Sequence, residues 1–153
     1  MEESLISFKM VIDKDIFPQK WESFFKKGYQ KLLENSLGEQ TEESIFNDLW
    51  LGKLFMKIIL NEKGFVGFYT GKVMALPNSK SVLNIVHTYI ETDNEKILEA
   101  LNEDVNKMAK QFKCDYINFL TTRSKGFERR LKELGWKPGY SELYREVDYG
   151  RQQ

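Results

Sequence analysis

The sequence has little of the residue types that carry the most recognisable site chemistry. It contains one cysteine, Cys114, and one histidine, His87, among 153 residues. A lone cysteine excludes an intrachain disulfide and fits a reducing compartment. One cysteine and one histidine also cannot form the ligand clusters that hold structural zinc, so we expect no metal. Cys114 stands at the start of a predicted strand, where cysteine usually packs as a small apolar side chain.

The sequence also lacks net charge and long apolar runs. Its 23 basic and 23 acidic residues cancel, which argues against a dedicated nucleic-acid binder. The run at 54–60 is too short to span a membrane and contains Lys57. The acidic start at residues 1–4 lacks the layout of a signal peptide. We therefore expect a cytoplasmic protein that does not bind membranes.

Aromatic and apolar residues are plentiful enough for a folded domain. Apolar residues make up 41% of the chain and aromatic residues 14%, and there are only three prolines. These values argue against disorder. The length predicts a single domain over 1–153.

The hydrophobic pattern predicts a mixed sheet with helices, in the order β-α-α-β-β-β-α-β-α-β. Pro18 is expected in the first turn of one helix, Thr41 at the N-cap of the next and Gly52 at its end. Gly67 and Gly71 are expected either to weaken a long strand or to mark bulges in it. The predicted strands lie at 4–12, 54–60, 65–76, 82–91, 116–120 and 142–147.

The predicted strand 82–91 carries apolar residues on both faces, which indicates a central strand covered on both sides. Simple alternation puts Leu83, Ile85, His87 and Tyr89 on one face. It puts Val82, Val86, Thr88 and Ile90 on the other.

The segment 125–138 has the most informative local pattern. Phe127, Leu131 and Leu134 share one helix face, and Gly135 stands where a left-handed C-terminal cap is expected, followed by Trp136. A final strand is predicted beyond it. This helix-Gly-aromatic-strand ending, with the order of elements before it, resembles the GNAT acyltransferase superfamily. The resemblance implies an α+β fold in which about four helices flank a central mixed sheet.

The resemblance extends to a degenerate, GNAT-like subgroup that tailed bacteriophages often encode. Its shared positions are Arg123, Gly126-Phe127, Arg130, Leu134-Gly135-Trp136 and Tyr144. The subgroup implies a virion-associated protein, located in the host cytoplasm or in the virion.

The GNAT resemblance implies an acetyl-CoA site beside the fourth strand, followed by a glycine-rich phosphate loop. The corresponding segment here, 91–98, has neither glycine nor arginine. It places Glu91, Asp93 and Glu95 where phosphates would lie, and Lys96 offsets only part of that charge. We therefore expect no cofactor. If catalysis persists, the resemblance implies acetyl-CoA, held near Tyr89, Ile90 and Lys96.

The resemblance also implies a general base and a general acid. His87 and Glu91 are the candidate bases, although His87 also fits a packed core histidine. Phe127 occupies the position where many GNAT enzymes have a tyrosine acid. Tyr144 is the substitute candidate, and it equally fits a sheet aromatic.

Two functional hypotheses follow. In the first, the fold persists without catalysis as a binding or structural module whose partner is a protein, either a virion component or a second copy of the chain. In the second, the protein is an N-acetyltransferase that moves an acetyl group from acetyl-CoA to an amine. Aromatic residues such as Trp50 and Trp136 fit the interface that the first hypothesis requires.

Overall fold

The computed structural model describes residues 5–34, 38–91, 95–119 and 125–137. Strands in this part are β1 (Ser7–Met10), β2 (Phe55–Asn61), β3 (Gly64–Ala75), β4 (Ser81–Ile90) and β5 (Tyr116–Phe119). Helices are α1 (Ile16–Lys20), α2 (Lys26–Leu32), α3 (Glu42–Trp50), α4 (Glu95–Gln111) and α5 (Lys125–Glu133), with a π-helical segment (Trp21–Phe25) between α1 and α2. Over these ranges, no helix combines the length and apolar character needed to cross a membrane.

The five strands form one mixed sheet in the order β1-β2-β3-β4-β5. Neighbouring strands from β1 to β4 are antiparallel, and β5 lies parallel to β4. A parallel pair needs a crossover connection, and α4 supplies it. The predicted mixed sheet is therefore confirmed as far as β5, while the predicted strand 142–147 lies outside the described residues.

Contacts divide the chain into two units, Met1–Thr122 and Arg123–Gln153. The sheet and helices α1 to α4 belong to the first unit, and α5 belongs to the second. The expectation of one domain over 1–153 stays a prediction.

In the first unit, local capping residues determine where α3 begins and ends. The Thr41 hydroxyl accepts a hydrogen bond from the Ser44 amide, and the Ser44 hydroxyl accepts one from the Thr41 amide, so the α3 N-terminus has a reciprocal cap. Gly52 adopts a φ of 74°, and the Lys53 amide bonds back to the Asp48 carbonyl. Both predicted ends of this helix are confirmed.

The cap predicted in the second unit is also confirmed. Gly135 has a φ of 93°, and its amide bonds to the Lys132 carbonyl. The Trp136 amide bonds to the Leu131 carbonyl, which completes the Schellman arrangement at the end of α5.

An aromatic core covers one face of the sheet, where α1, the π-helical segment, α2 and α3 pack. Its buried members are Phe17, Phe25, Tyr29, Ile45, Leu49, Leu54, Met56, Phe68 and Tyr89. On α4, the buried side chains are Ile97, Leu98, Leu101, Val105, Met108 and Ala109, and Ile97 packs with Ile59 and Val66 of the sheet. Because β4 contributes Tyr89 to the aromatic core and Ile90 to the packing around Ile97, it is covered on both faces as predicted.

A partly buried ion pair also joins α4 to the sheet. The Lys57 ammonium lies 3.0 Å from the Asp104 carboxylate, and each side chain is 13% exposed. The Tyr69 hydroxyl donates to the same carboxylate. Burial, and then the bond to Asp104, raise the pKa of Tyr69. The cluster connects β2, β3 and α4 through three polar groups that satisfy one another.

The face assignment predicted for β4 is wrong at Val86. Thr70 and Gly71 are consecutive on β3, but they pair with His87 and Ile85, so Val86 is an extra residue on β4. Val86 packs against the aromatic core that contains Tyr89, although simple alternation put the two residues on opposite faces. A bulge shifts the alternation by one residue and accounts for the error.

The two strand glycines lie at register shifts, which confirms the prediction for them. Gly71 adjoins the shift that leaves Val86 unpaired on β4. Gly67 adjoins the shift between β2 and β3, where Ile59 pairs with Gly67 and Leu60 pairs with Phe65.

The packing of α2 on the sheet depends on Gly28. A Cβ atom there would lie 2.7 Å from Cδ2 of Tyr89 and 2.8 Å from Cε1 of Phe68. Both rings are buried, so they cannot move aside. The helix therefore needs a residue without a side chain at this point.

We expect Gly28→Ala to lower the free energy of unfolding. The overlap with two buried rings costs about 1–3 kcal/mol or more, while alanine returns about 1 kcal/mol of helix propensity. Urea denaturation measures the difference. Gln30→Ala, on the exposed side of α2, is the matched control and should change stability by less than about 0.5 kcal/mol. A stabilised Gly28→Ala protein would contradict the packing of α2.

Candidate functional site

The candidate site lies along the second half of β4. The parallel pairing of β4 with β5 covers Val82 to Ile85, opposite Tyr116 to Phe119. Among the residues that the structure describes, β4 continues to Ile90 with a pairing partner only on the β3 side. The candidate ligand edge of this half-strand is therefore the one that faces away from β3.

The hydrogen-bonding pattern indicates which amide faces that edge. The Glu91 amide donates to the Val66 carbonyl on β3 at 2.8 Å. Since the amides of an antiparallel strand alternate in direction, the Tyr89 amide also points to β3 and the Ile90 amide points away from it. Of the two residues expected to hold an acyl group, Ile90 therefore presents its backbone N–H to the edge.

A hydroxyl from the neighbouring strand supports the bulge at the start of this segment. The His87 amide donates to Oγ1 of Thr70 at 3.1 Å instead of to a carbonyl. The same oxygen lies 2.8 Å from Nδ1 of His87. The extra residue in β4 disturbs the normal ladder, and Thr70 supplies the acceptor that the ladder no longer provides.

The His87 ring is enclosed by polar partners. Its Nε2 lies 3.2 Å from Oε1 of Gln40, and the Tyr29 hydroxyl lies 3.4 Å from Nδ1. We assign the neutral tautomer in which Nε2–H donates to Gln40 and Nδ1 accepts from the Thr70 hydroxyl. His87 is 5% exposed, and burial lowers its pKa to about 4. These contacts favour the packed histidine over the general base.

The other sequence-predicted residues lie in different settings. Tyr89 is buried, and its ring centroid is 5.6 Å from that of Phe68, so only its backbone can serve a ligand. Glu91 is exposed at the end of β4, and Lys96 is exposed in the first turn of α4. Glu91 is not a partner of the His87 ring. Tyr144 lies outside the described residues.

Carboxylates surround the connection between β4 and α4. Glu91 follows the last residue of the strand, and Glu95 is the first residue of the helix. The N-terminus of a helix attracts anions through its free amides and its dipole. Here Glu95 already places a negative charge in that first turn. That charge interacts favourably with the dipole of α4.

Thr70, Gln40 and Tyr29 are site residues that sequence reasoning missed. Tyr29 and Gln40 are 58 and 47 positions from His87, so no local motif joins them. Gly71 was the one available signal, because it marks the bulge that Thr70 supports. Among residues 5–34, 38–91, 95–119 and 125–137, no group of three His, Cys, Asp or Glu side chains could hold a metal ion.

The sequence matches no protein-family model and no curated protein. Solved structures do match it. A ribosomal-protein-alanine N-acetyltransferase from Brucella melitensis biovar Abortus has a TM-score of 0.68 at 11% identity, over 94% of this chain and 100% of that one. A predicted acetyltransferase from Clostridium acetobutylicum, solved with acetyl-CoA, has a TM-score of 0.66 at 12% identity, over 93% and 96%.

A third match is an aminoglycoside N-acetyltransferase in complex with CoA, with a TM-score of 0.63 at 10% identity, over 96% of this chain and 97% of that one. At such identities the matches show the fold alone. The chain has the GNAT acyl-CoA N-acyltransferase fold, which confirms the predicted fold class.

We expect Thr70→Val to lower the free energy of unfolding by about 1–3 kcal/mol, because the buried His87 amide loses its acceptor. Thr70→Ser is the matched control. It keeps the hydroxyl and loses only a methyl group, worth about 0.8 kcal/mol. Chemical denaturation compares the two variants, and hydrogen exchange at the His87 amide should accelerate only in Thr70→Val. Equal exchange rates would contradict the support assigned to Thr70.

His87 should make the protein less stable in acid. Between its ordinary pKa of 6.5 and its folded value of about 4, the unfolded chain binds a proton that the folded protein does not. The free energy of unfolding therefore falls as the pH is lowered through this window, by about 3 kcal/mol in total. His87→Gln should lack this component in urea denaturation at pH 4.5 and 7.

NMR titration reads the same group directly, since His87 is the only histidine. A ring titration midpoint near 6.5 in the folded protein would contradict its enclosure.

Proposed function

We propose that this protein keeps the GNAT fold as a binding or structural module and does not transfer acetyl groups. One observation carries the proposal. Glu91 and Glu95 flank the strand-to-helix connection at the end of β4, where a GNAT enzyme binds the pyrophosphate of its cofactor. The sequence adds Asp93 and no glycine between them.

Electrostatics supports the loss of cofactor binding. A carboxylate near a pyrophosphate at a partly solvated distance opposes binding by about 1 kcal/mol. Glu91 and Glu95 are both exposed at the expected position, and Lys96 is the one basic residue of 91–98. Without a glycine, the backbone also cannot approach the phosphates as closely as in an active loop.

The candidate catalytic groups support the same proposal. His87 is held by buried Tyr29 and Thr70 and by half-buried Gln40, and its low pKa makes it a weak base. Glu91 is an exposed carboxylate at the end of β4. Phe127 has no proton to donate, which leaves Tyr144 as the proposed acid.

The alternative is an active N-acetyltransferase, and the β4 backbone favours it. The bulge at Val86 and the outward amide of Ile90 place a hydrogen-bond donor on the edge of β4 that faces away from β3, where an acyl carbonyl could be polarised. An amine would then form a C–N bond to the acetyl carbon as the C–S bond of acetyl-CoA breaks. Glu91 would take the amine proton, and Tyr144 would protonate the thiolate.

The proposed partner is a protein, either a virion component or a second copy of this chain. The resemblance of the C-terminal positions from Arg123 to Tyr144 to phage-encoded GNAT-like proteins supports the virion. The host cytoplasm is the corresponding location before assembly.

Isothermal titration with acetyl-CoA and with CoA tests the proposal. We expect no heat of binding up to millimolar ligand, from protein that circular dichroism shows to be folded. Micromolar affinity for either ligand would reject the proposal that the protein has lost catalysis and would support an active N-acetyltransferase.

A charge-neutralised variant tests the physical reason. In Glu91→Gln/Glu95→Gln, affinity for CoA should rise about fivefold for each carboxylate removed. Glu99→Gln/Glu103→Gln, farther along α4 and therefore away from its N-terminus, carries the same change in charge and should not alter affinity. If the two double variants change the affinity for CoA equally, Glu91 and Glu95 are not the cause of weak CoA binding.

A further inference from the structure

Strand β1, at one edge of the sheet, is flanked by strongly exposed apolar side chains. Leu5, before the strand, is 79% exposed, and Ile12, after it, is 88% exposed. Among the large hydrophobic side chains of the described residues, these two have the highest exposed fractions. Within the strand, Ser7 and Lys9 are exposed as well. An edge strand with exposed flanks can serve as a template for a strand from another chain.

The backbone of β1 presents hydrogen-bonding groups on its outer side. The strand pairs with β2 and is the last one on its side of the described sheet. The Val11 amide donates to the Met56 carbonyl at 2.9 Å. Since amides alternate in direction along an antiparallel strand, those of Ser7 and Lys9 also face β2, and those of the even-numbered residues 6–10 point outward. In the part of the chain that the structure describes, these outward groups have no hydrogen-bond partner.

The side chains of β1 divide cleanly between the two faces of the sheet. Ile6 and Phe8 pack on the face that α4 covers, with the cluster that contains Ile97. Ser7 and Lys9 lie on the opposite face. A strand added at this edge would therefore need apolar residues on the α4 face and residues compatible with a lysine on the other.

Two copies of β1 could pair antiparallel about a two-fold axis in only a few registers. Residues with outward backbone groups must lie opposite each other, so the axis has to pass through a residue and not between two residues. An axis through Lys9 places the two Lys9 ammonium groups opposite each other, which is unfavourable. An axis through Ser7 places Lys9 opposite the apolar Leu5.

An axis through Phe8 gives a complementary register over residues 5–11. It pairs apolar residues with apolar residues and the lysine with a hydroxyl: Phe8 with Phe8, Ile6 with Met10, Leu5 with Val11, and Ser7 with Lys9. The exposed Leu5 side chain is then covered by the second copy, and no like charges lie opposite each other in this range. Lys9 thus disfavours the neighbouring register and is compatible with this one.

We propose that β1 pairs antiparallel with β1 of a second copy of this chain about an axis at Phe8, an inference that rests on the proposed binding role. The two Phe8 residues exchange N–H···O=C hydrogen bonds, and Ile6 exchanges them with Met10 of the second copy. The contact is isologous, so each surface is its own complement. The two sheets become one continuous sheet with both α4 helices on the same face.

Sedimentation of the full chain tests for the dimer. A strand of four residues makes a small interface, so we expect a reversible monomer–dimer equilibrium in the micromolar range. A protein that remains monomeric up to millimolar concentration would overturn the proposal.

Opposite charges at Ser7 test the register, because this residue is exposed and faces Lys9 of the second copy. Ser7→Glu should tighten the dimer by about threefold or more, and Ser7→Lys should weaken it by about as much, since the new charge pair forms twice in each dimer. Ser23→Glu and Ser23→Lys, exposed in the π-helical segment, are the matched controls and should leave the dimer unchanged. If the two Ser7 variants dimerise equally, the proposed pairing is wrong.

Cysteine cross-linking locates the axis. The test mixes Ser7→Cys and Lys9→Cys proteins, each also carrying Cys114→Ser, under oxidised glutathione. Opposite residues of this kind have Cα atoms about 4.5 Å apart, which a disulfide can bridge. Diagonal neighbours are about 7–8 Å apart, which is too far. Mass spectrometry should therefore find cross-linked dimers that contain one copy of each variant. Self-cross-linking of either variant at an equal rate would overturn the register.

The CoA titration is independent of these experiments. A monomeric protein that does not bind CoA rejects only the pairing of β1, whereas CoA binding rejects the proposed function.

Discussion

The extra residue in β4 is the constraint on which the rest of the structure depends. Val86 has no direct partner on β3, and the amide after it is satisfied by the Thr70 hydroxyl. The insertion brings Val86 onto the same side as Tyr89, where both meet the aromatic core under α2. It also precedes the half-strand whose outer edge carries the candidate ligand amide of Ile90. The packing of the helices and the direction of the Ile90 amide therefore both depend on the bulge in β4.

Most of the fold could be predicted from the sequence because its signals are local. Thr41, Gly52 and Gly135 act through bonds to residues within five positions, so the printed sequence contains both partners. The two strand glycines also predicted irregular pairing correctly. The position of Gly71 did not reveal which of β3 and β4 holds the extra residue, because that depends on the register of the two strands. Alternation counted along β4 alone therefore misassigned Val86.

The candidate site was less predictable for the same physical reason. His87 could be recognised as the sole histidine, but its environment is built by Tyr29, Gln40 and Thr70 from three other parts of the chain. Whether such a histidine is a base or a packed ring depends on those distant partners. The acidic connection after β4, in contrast, could be read directly, since Glu91 and Glu95 belong to one continuous segment. The negative charge at the end of β4 could thus be predicted from the sequence, whereas the hydrogen-bond partners of His87 could not.

The arrangement of strands has a consequence for how the chain reaches this structure. From β2 to β4 each strand pairs with the next one along the chain through a short turn, so those contacts close small loops. Pairing of β5 is different, because Ser81 and Asp115, which bond across β4 and β5, are 34 positions apart. Loop-closure entropy makes such a contact slower to form than a hairpin. The meander should consequently collapse first, and α4 must then lie across one face before the parallel strand can join. Until that step, the edge of β4 is free along its whole length, and a nascent chain is most exposed to mispairing there.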